Sequence, residues 1–192
     1  IDHGKSSLIK AMNGFDGDEL ALEKEKGITI NLSFSHLQNA QGANIAFIDV
    51  PGHENLIKTM ISGAFSFSVC LFVVDINEGL KAQSVEHLQI LRLLGCESIV
   101  LVLSKCDLCE NIAEKKEEIL KNLKPFKMQI LNSFCTSIKD ESSIDELKHF
   151  LFTLKTKPND ERLVFRYYID RVFTLKGIGT VVTGSLNEGC VE

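Results

Sequence analysis

Ile1-Asp2-His3-Gly4-Lys5-Ser6-Ser7 opens the chain and decides how the rest is read. A phosphate-gripping loop has the form G-x-x-x-x-G-K-[ST]. Its backbone N–H groups wrap the phosphates, its Lys neutralises the β and γ oxygens, and its hydroxyl coordinates Mg²⁺. Gly4, Lys5 and Ser6 supply the last three positions. The first glycine would fall two residues before Ile1, so the chain is expected to be a fragment that starts inside the motif and lacks the strand feeding it. A Gly-Lys-Ser triplet alone is weak evidence, because such a triplet also occurs by chance at helix starts. Its partners downstream decide.

The chain has 192 residues, room for one full α/β domain and part of another. Its 44% hydrophobic and 24% charged content is that of an ordinary globular protein. No apolar run approaches the roughly 18 residues of a membrane span, and a cytosolic location is expected. A net charge of −5 argues against a surface that coats nucleic acid, which needs clustered Lys and Arg. The six cysteines lie scattered through apolar runs, as buried free thiols in a reducing compartment would. Cys106-Asp107-Leu108-Cys109 reads C-x-x-C but lacks the second pair of a zinc ribbon.

Outward from the loop, Leu8–Met12 continues a helical pattern that Asn13-Gly14 ends. Thr29–Leu37 alternates polar and apolar residues (Ile30, Leu32, Phe34) like a half-buried edge strand, and Ala46–Val50 is a fully buried one. Buried-strand runs recur at Cys70–Asp75, Ile99–Lys105 and Gln129–Cys135, with helical patterns at Gln83–Leu94, Ile112–Leu123 and Ile144–Leu154. Strand and helix in turn predict an α/β fold, a mostly parallel sheet with helices on both faces and ligands at the strands' carboxyl ends. The P-loop domain is expected over residues 1–156, a charged linker over 157–162, and a β-rich second domain over 163–192, its glycine turns marking the start of a barrel cut off at Glu192.

Two motifs sit at those carboxyl ends. Asp49-Val50-Pro51-Gly52-His53-Glu54 follows a buried strand, so Asp49 can hold Mg²⁺ through water and Gly52 can offer its N–H to a γ-phosphate. Ser104-Lys105-Cys106-Asp107 follows another. A carboxylate there accepts both N1–H and the N2 amine of guanine, a pattern adenine cannot offer, and losing such pairing costs roughly 10⁴–10⁵ in discrimination. GTP is therefore expected over ATP.

IDHGKSS, GITI (Gly27–Ile30), DVPGHE, SKCD and CTS (Cys135–Ser137) together resemble the five nucleotide motifs of the translational GTPases, in their expected order. The resemblance implies that Asp2 organises the phosphate site, with His3 and Ser7 completing the loop's GTP/GDP-binding set. It implies further that Thr29 joins Ser6 and Asp49 at Mg²⁺, that Lys105 packs along the base, and that the backbone at Thr136 and Ser137 approaches guanine O6. His53 would orient the attacking water, with Ile1 and Ile28 as an apolar gate. One position departs: Ser104 stands where the family usually has Asn, and a hydroxyl cannot make all the bonds of a carboxamide, so loop bracing is expected to weaken.

Within that family, LEKEKGITINLSF (Leu22–Phe34) and FRYYIDRVFTLKGIGTVVTGSLNEG (Phe165–Gly189) are similar to the selenocysteine-specific elongation factors. That resemblance implies a parent protein that carries selenocysteyl-tRNA to the ribosome at recoded UGA codons, hydrolyses GTP, and reads an mRNA hairpin through later domains. The alternatives are an elongation factor Tu-like carrier, the initiator-tRNA-binding initiation factor subunit of archaea and eukaryotes, or a guanine-nucleotide switch without significant hydrolysis. The base-reading assignment has a direct check. Asp107→Asn exchanges an acceptor for a donor and should move preference from guanine towards xanthine nucleotides in a competition assay; unchanged preference would overturn it.

Overall fold

The structure is a computed structural model that describes residues 3–14, 33–50, 67–155 and 162–190. The first helix, α1, is Lys5–Asn13, and β1 (Ser33–Gln38) pairs antiparallel with β2 (Asn44–Asp49). Then β3 (Cys70–Asp75), α2 (Ala82–Leu93), β4 (Ser98–Ser104), α3 (Ile112–Leu123), β5 (Gln129–Cys135) and α4 (Glu141–Thr153) follow in turn. The last three strands form a parallel sheet in the order β3-β4-β5, as the alternating pattern predicts. The described strands up to this point make two sheets, not one, because no ladder joins β2 to β3.

What unites them is the core. Along β4 the side chains alternate faces. Ile99, Leu101 and Leu103 pack with Phe72 and Val74 of β3, Leu88 of α2, and Ile119 and Leu123 of α3. Val100 and Val102 pack on the opposite side with Phe134 of β5, Leu8 and Met12 of α1, Phe47 of β2, and Ile144, Leu147 and Leu151 of α4. The helices thus lie on both faces of the sheet. In α4 the apolar positions 144, 147 and 151 fall on one stripe, and the Asp140 carboxylate caps its start by accepting from the Ser142 N–H at 3.1 Å.

α1 ends where the sequence says it should, with Gly14 at φ 75 donating its N–H to Lys10 O. β1 differs from expectation. Its half-buried face is Ser33, Ser35 and Leu37, while Phe34, placed in the apolar set by sequence, is 40% exposed. That face meets both polar and apolar partners: Asn13 Nδ2 donates to Ser35 Oγ at 2.9 Å, and Leu37 packs on the core cluster of Leu8, Met12 and Phe47.

Beyond α4, β6 (Arg166–Leu175) and β7 (Gly179–Glu188) form an antiparallel hairpin. Ile169, Val172, Phe173 and Val182 are exposed on it. Residues 156–161, most of the expected linker, lie outside the described residues. All six cysteines are free thiols. Burial raises Cys70 and Cys106 to about 12, which leaves both protonated at neutral pH. Among the described residues no helix is long and apolar enough to cross a membrane.

Leu147 is fully buried where α4 meets β4 and α1. Leu147→Ala is therefore expected to lower the unfolding free energy by about 2–5 kcal/mol, read as a fall in the urea midpoint. A loss well under that range would show that this side of the sheet relaxes around the cavity.

Candidate nucleotide site

The carboxyl ends of β2, β3, β4 and β5 and the amino end of α1 supply the site. Gly4 precedes α1 at φ 79, a left-handed conformation open to glycine at little strain, and its O accepts from the Leu8 N–H at 2.9 Å. A side chain there would be strained, and its Cβ would stand 3.9 Å from Ser104 Cβ and Oγ. The loop before α1 therefore lies directly against the end of β4. Its ties are specific. Ser104 Oγ donates to His3 O at 2.7 Å, with Val74 O a longer alternative at 3.3 Å, and the Asp75 N–H donates to His3 Nδ1 at 3.0 Å.

His3 is buried and its Nδ1 is an acceptor, so the ring is neutral with its proton on Nε2, which lies 3.7 Å from Glu78 Oε2. Burial pushes its pKa down and the Lys5 charge adds to that, against the opposing pull of Glu78 and Asp75. Lys5 is half-buried and makes no ion pair among the described residues. Ser7 is exposed. On the other side of the loop Ser6 Oγ donates to Asp49 Oδ2 at 2.7 Å, which brings together two of the three residues expected at Mg²⁺. These are hard oxygen donors of the kind Mg²⁺ takes, one or two from protein and the rest from phosphate and water. Among the described residues no group of three or more His, Cys, Asp or Glu is arranged to hold a metal by itself.

The base-reading side is built at β4 and β5. Lys105 follows β4 at φ 58, left-handed for a residue with a side chain, and its Nζ reaches Asp75 Oδ2 at 2.9 Å. Asp107 stands in the short helical turn Cys106–Leu108. Its Oδ1 accepts from Ser137 Oγ at 2.8 Å and its Oδ2 meets Lys139 Nζ at 2.9 Å. The hydrogen bonds from Lys139 and Ser137 hold the Asp107 carboxyl below the usual carboxylate range. The Cys106 N–H, donating to Thr136 O at 3.1 Å, clips the two loops together.

Of the two amides expected to approach guanine O6, the Thr136 N–H is donated to Leu103 O at 2.7 Å and the Ser137 N–H to Ser143 Oγ at 3.2 Å. The next amide along, Ile138, makes no hydrogen bond among the described residues. Sequence reasoning missed Ile138, Lys139, Ser143 and Asp75. Of these only Asp75 carries a legible signal, a carboxylate closing a buried apolar strand. Asp2, Thr29, Gly52 and His53, with Ile1 and Ile28, lie outside the described residues. Ser104, where a weaker brace is expected, does tie β4 to the phosphate loop through its hydroxyl.

Comparison with known proteins gives the family and the fold. The family described as "Elongation factor Tu GTP binding domain" matches residues 1–157. The chain is 38% identical to a selenocysteine-specific elongation factor of Desulfomicrobium baculatum and 34% identical to that of Escherichia coli, covering all of this chain and 31% and 32% of the two relatives. The chain thus spans about a third of the length of these relatives. Two solved structures superpose on it. A bacterial selenocysteine-specific elongation factor EF-Sec does so with a TM-score of 0.84 at 35% identity, over 98% of this chain and 33% of that one. Translation elongation factor SelB of Methanococcus maripaludis, in complex with the GTP analogue GppNHp, gives 0.76 at 30% identity, over 98% and 40%.

The His3 geometry has a pH signature. Its folded pKa lies below the ordinary 6.5, so the neutral ring contributes fully above that value and the contribution is lost as pH falls through the folded pKa. Asp75 and Asp107 enter only below their ordinary 3.8, because theirs are lowered. Between pH 6.5 and about 4 the wild type should therefore lose more stability than His3→Asn, whose Oδ1 can take the Asp75 N–H without titrating. Equal losses in urea titrations across that interval would remove His3 from this role.

Proposed function

The chain belongs to the family of the elongation factor Tu GTP-binding domain, and from that premise we propose that its parent protein is a GTP-hydrolysing carrier of selenocysteyl-tRNA. The observation that supports guanine reading is the Asp107 carboxylate, ionised and held by Ser137 beside Lys105 at the open ends of β4 and β5. Asp107 accepts N1–H and the N2 amine of the base, Ile138 donates its free amide to O6, and the stem of Lys105 lies along the ring. Lys139 yields its place on Asp107 Oδ2 as the base arrives. On the phosphate side Lys5 neutralises the β and γ oxygens, and Gly4 allows the backbone to approach them. Ser6, Asp49 and Thr29 would hold Mg²⁺, which when bound neutralises charge developing on those oxygens.

Hydrolysis is assigned to His53, orienting the attacking water behind the apolar gate of Ile1 and Ile28. Without a stimulus it is slow, on the order of 10⁻³ s⁻¹ or below. An activation of about 10⁵ corresponds to about 7 kcal/mol of transition-state stabilisation, and the ribosome is the natural source, by placing His53. The cytosol is the expected compartment. The hairpin β6–β7 is taken as the opening of a second, barrel-forming domain over residues 163–192, after a linker at 157–162. Recognition of the tRNA and of an mRNA hairpin is assigned to the barrel and later domains. Over the whole chain the identity to selenocysteine-specific factors reaches 38%, against 28% to an elongation factor Tu of Plasmodium falciparum, which favours this reading over a general elongation factor.

The experiment is GTP-dependent tRNA capture by the full-length protein, comparing selenocysteyl-tRNA with its seryl precursor and with initiator tRNA. Selective retention of the selenocysteyl form is expected. Preference for initiator tRNA would reassign the protein to translation initiation and leave the nucleotide chemistry intact.

A further inference from the structure

The carboxylate of Asp75 has no part in the chemistry above, yet it stands between both halves of the site. It closes β3 with its side chain only 6% exposed. Burial alone would push its pKa up. The hydrogen bond from Lys105, the N–H groups of Asn77 and Glu78, and the Lys105 charge outweigh that and keep it ionised. One oxygen, Oδ1, accepts from Asn77 N–H at 2.9 Å and so fixes the turn after β3. The other, Oδ2, holds Lys105 Nζ at 2.9 Å, while the residue's own N–H holds His3 Nδ1. One residue thereby contacts the phosphate loop, the base-reading loop and the turn between them.

We infer that Asp75 is a positioning residue for nucleotide binding: it anchors the tip of Lys105 so that the methylene stem is set in advance as a wall for the base. Two observations carry this. A lysine backbone held at φ 58 fixes one end of the side chain, and the ion pair to a buried carboxylate on the neighbouring strand fixes the other. A lysine tethered at both ends has already given up the rotamer freedom that a free one would lose on binding. Because the anchor also holds the His3 ring, base and phosphate subsites are set in one register. The inference rests on Asp107 reading guanine.

A double-mutant cycle in the full-length protein tests it, with GDP affinity and dissociation rate as readouts and ADP as the control ligand. Asp75→Asn keeps an acceptor for Asn77 and the backbone N–H for His3, and removes the charge that holds Lys105. It is expected to weaken GDP binding about tenfold, chiefly through faster dissociation, and by under about twofold when Lys105 is already Met. A merely structural Asp75 would lower affinity equally in both backgrounds, and equal losses, or no loss in either, overturn the inference. Should Asp75→Asn fail to fold alone, Lys105→Met against the double variant still decides: matching affinities support the inference and a further tenfold loss overturns it. Loss of wild-type preference for GDP over ADP would instead overturn the guanine reading itself.

Discussion

A parallel sheet brings the carboxyl ends of its strands to one edge, and there the ladder stops while backbone donors and acceptors continue. Buried groups of that kind must find partners. In this chain the partners come from the loops that form the candidate site. Thr136 N–H caps Leu103 O, Ile76 N–H caps Ser104 O, and the Ser104 hydroxyl turns outward to His3 O. Satisfying the sheet and shaping the site are one set of bonds, so the nucleotide loops cannot shift without leaving the strand ends unpaired.

Relative magnitudes show which of those bonds matter. Breaking a buried ion pair by removing one partner costs roughly 3–5 kcal/mol, whereas an exposed pair is worth under about 1. Lys105–Asp75 falls between, because Asp75 is buried and the lysine is 39% exposed. Lys139–Asp107 is nearer the exposed limit, with the lysine at 73%. The first pair therefore holds its geometry, and the second can open to admit a ligand. The two lysines differ by a factor decided by burial, not by distance, since both stand 2.9 Å from their carboxylates.

Much of this was legible in advance for a physical reason. A strand buried on both faces must be apolar, as β4 is, whereas β2, expected to be fully buried, exposes Ala46, and β5 exposes Asn132. A charged or hydroxyl residue closing such an apolar run marks the edge where ligands bind. Ser104, Asp49 and Asp107 were found that way. Strand partners were less visible: that Ser35 and Leu37, not Phe34, face inward goes with contacts to residues distant in sequence, Asn13 at Ser35 across 22 positions and the core cluster at Leu37. Backbone chemistry was not visible at all. Whether Thr136, Ser137 or Ile138 has an amide to spare is set by Leu103 O and Ser143 Oγ, and no pattern of side-chain types encodes that accounting. Nor does a residue type announce its partner: that the Ser104 hydroxyl donates to His3 O depends on where the fold brings the phosphate loop.

The tie between Ser104 and His3 joins positions 101 residues apart. A ligand bound across the loops that this tie joins grips segments that meet only when the sheet is assembled. Occupancy is then a form of lifetime control. At a hundred times its dissociation constant, a ligand confined to the folded state suppresses global opening by about 2.7 kcal/mol, roughly a hundredfold fewer excursions into a protease-sensitive chain. The cell's supply of nucleotide would thus set how long each copy of the protein survives as well as whether it is loaded.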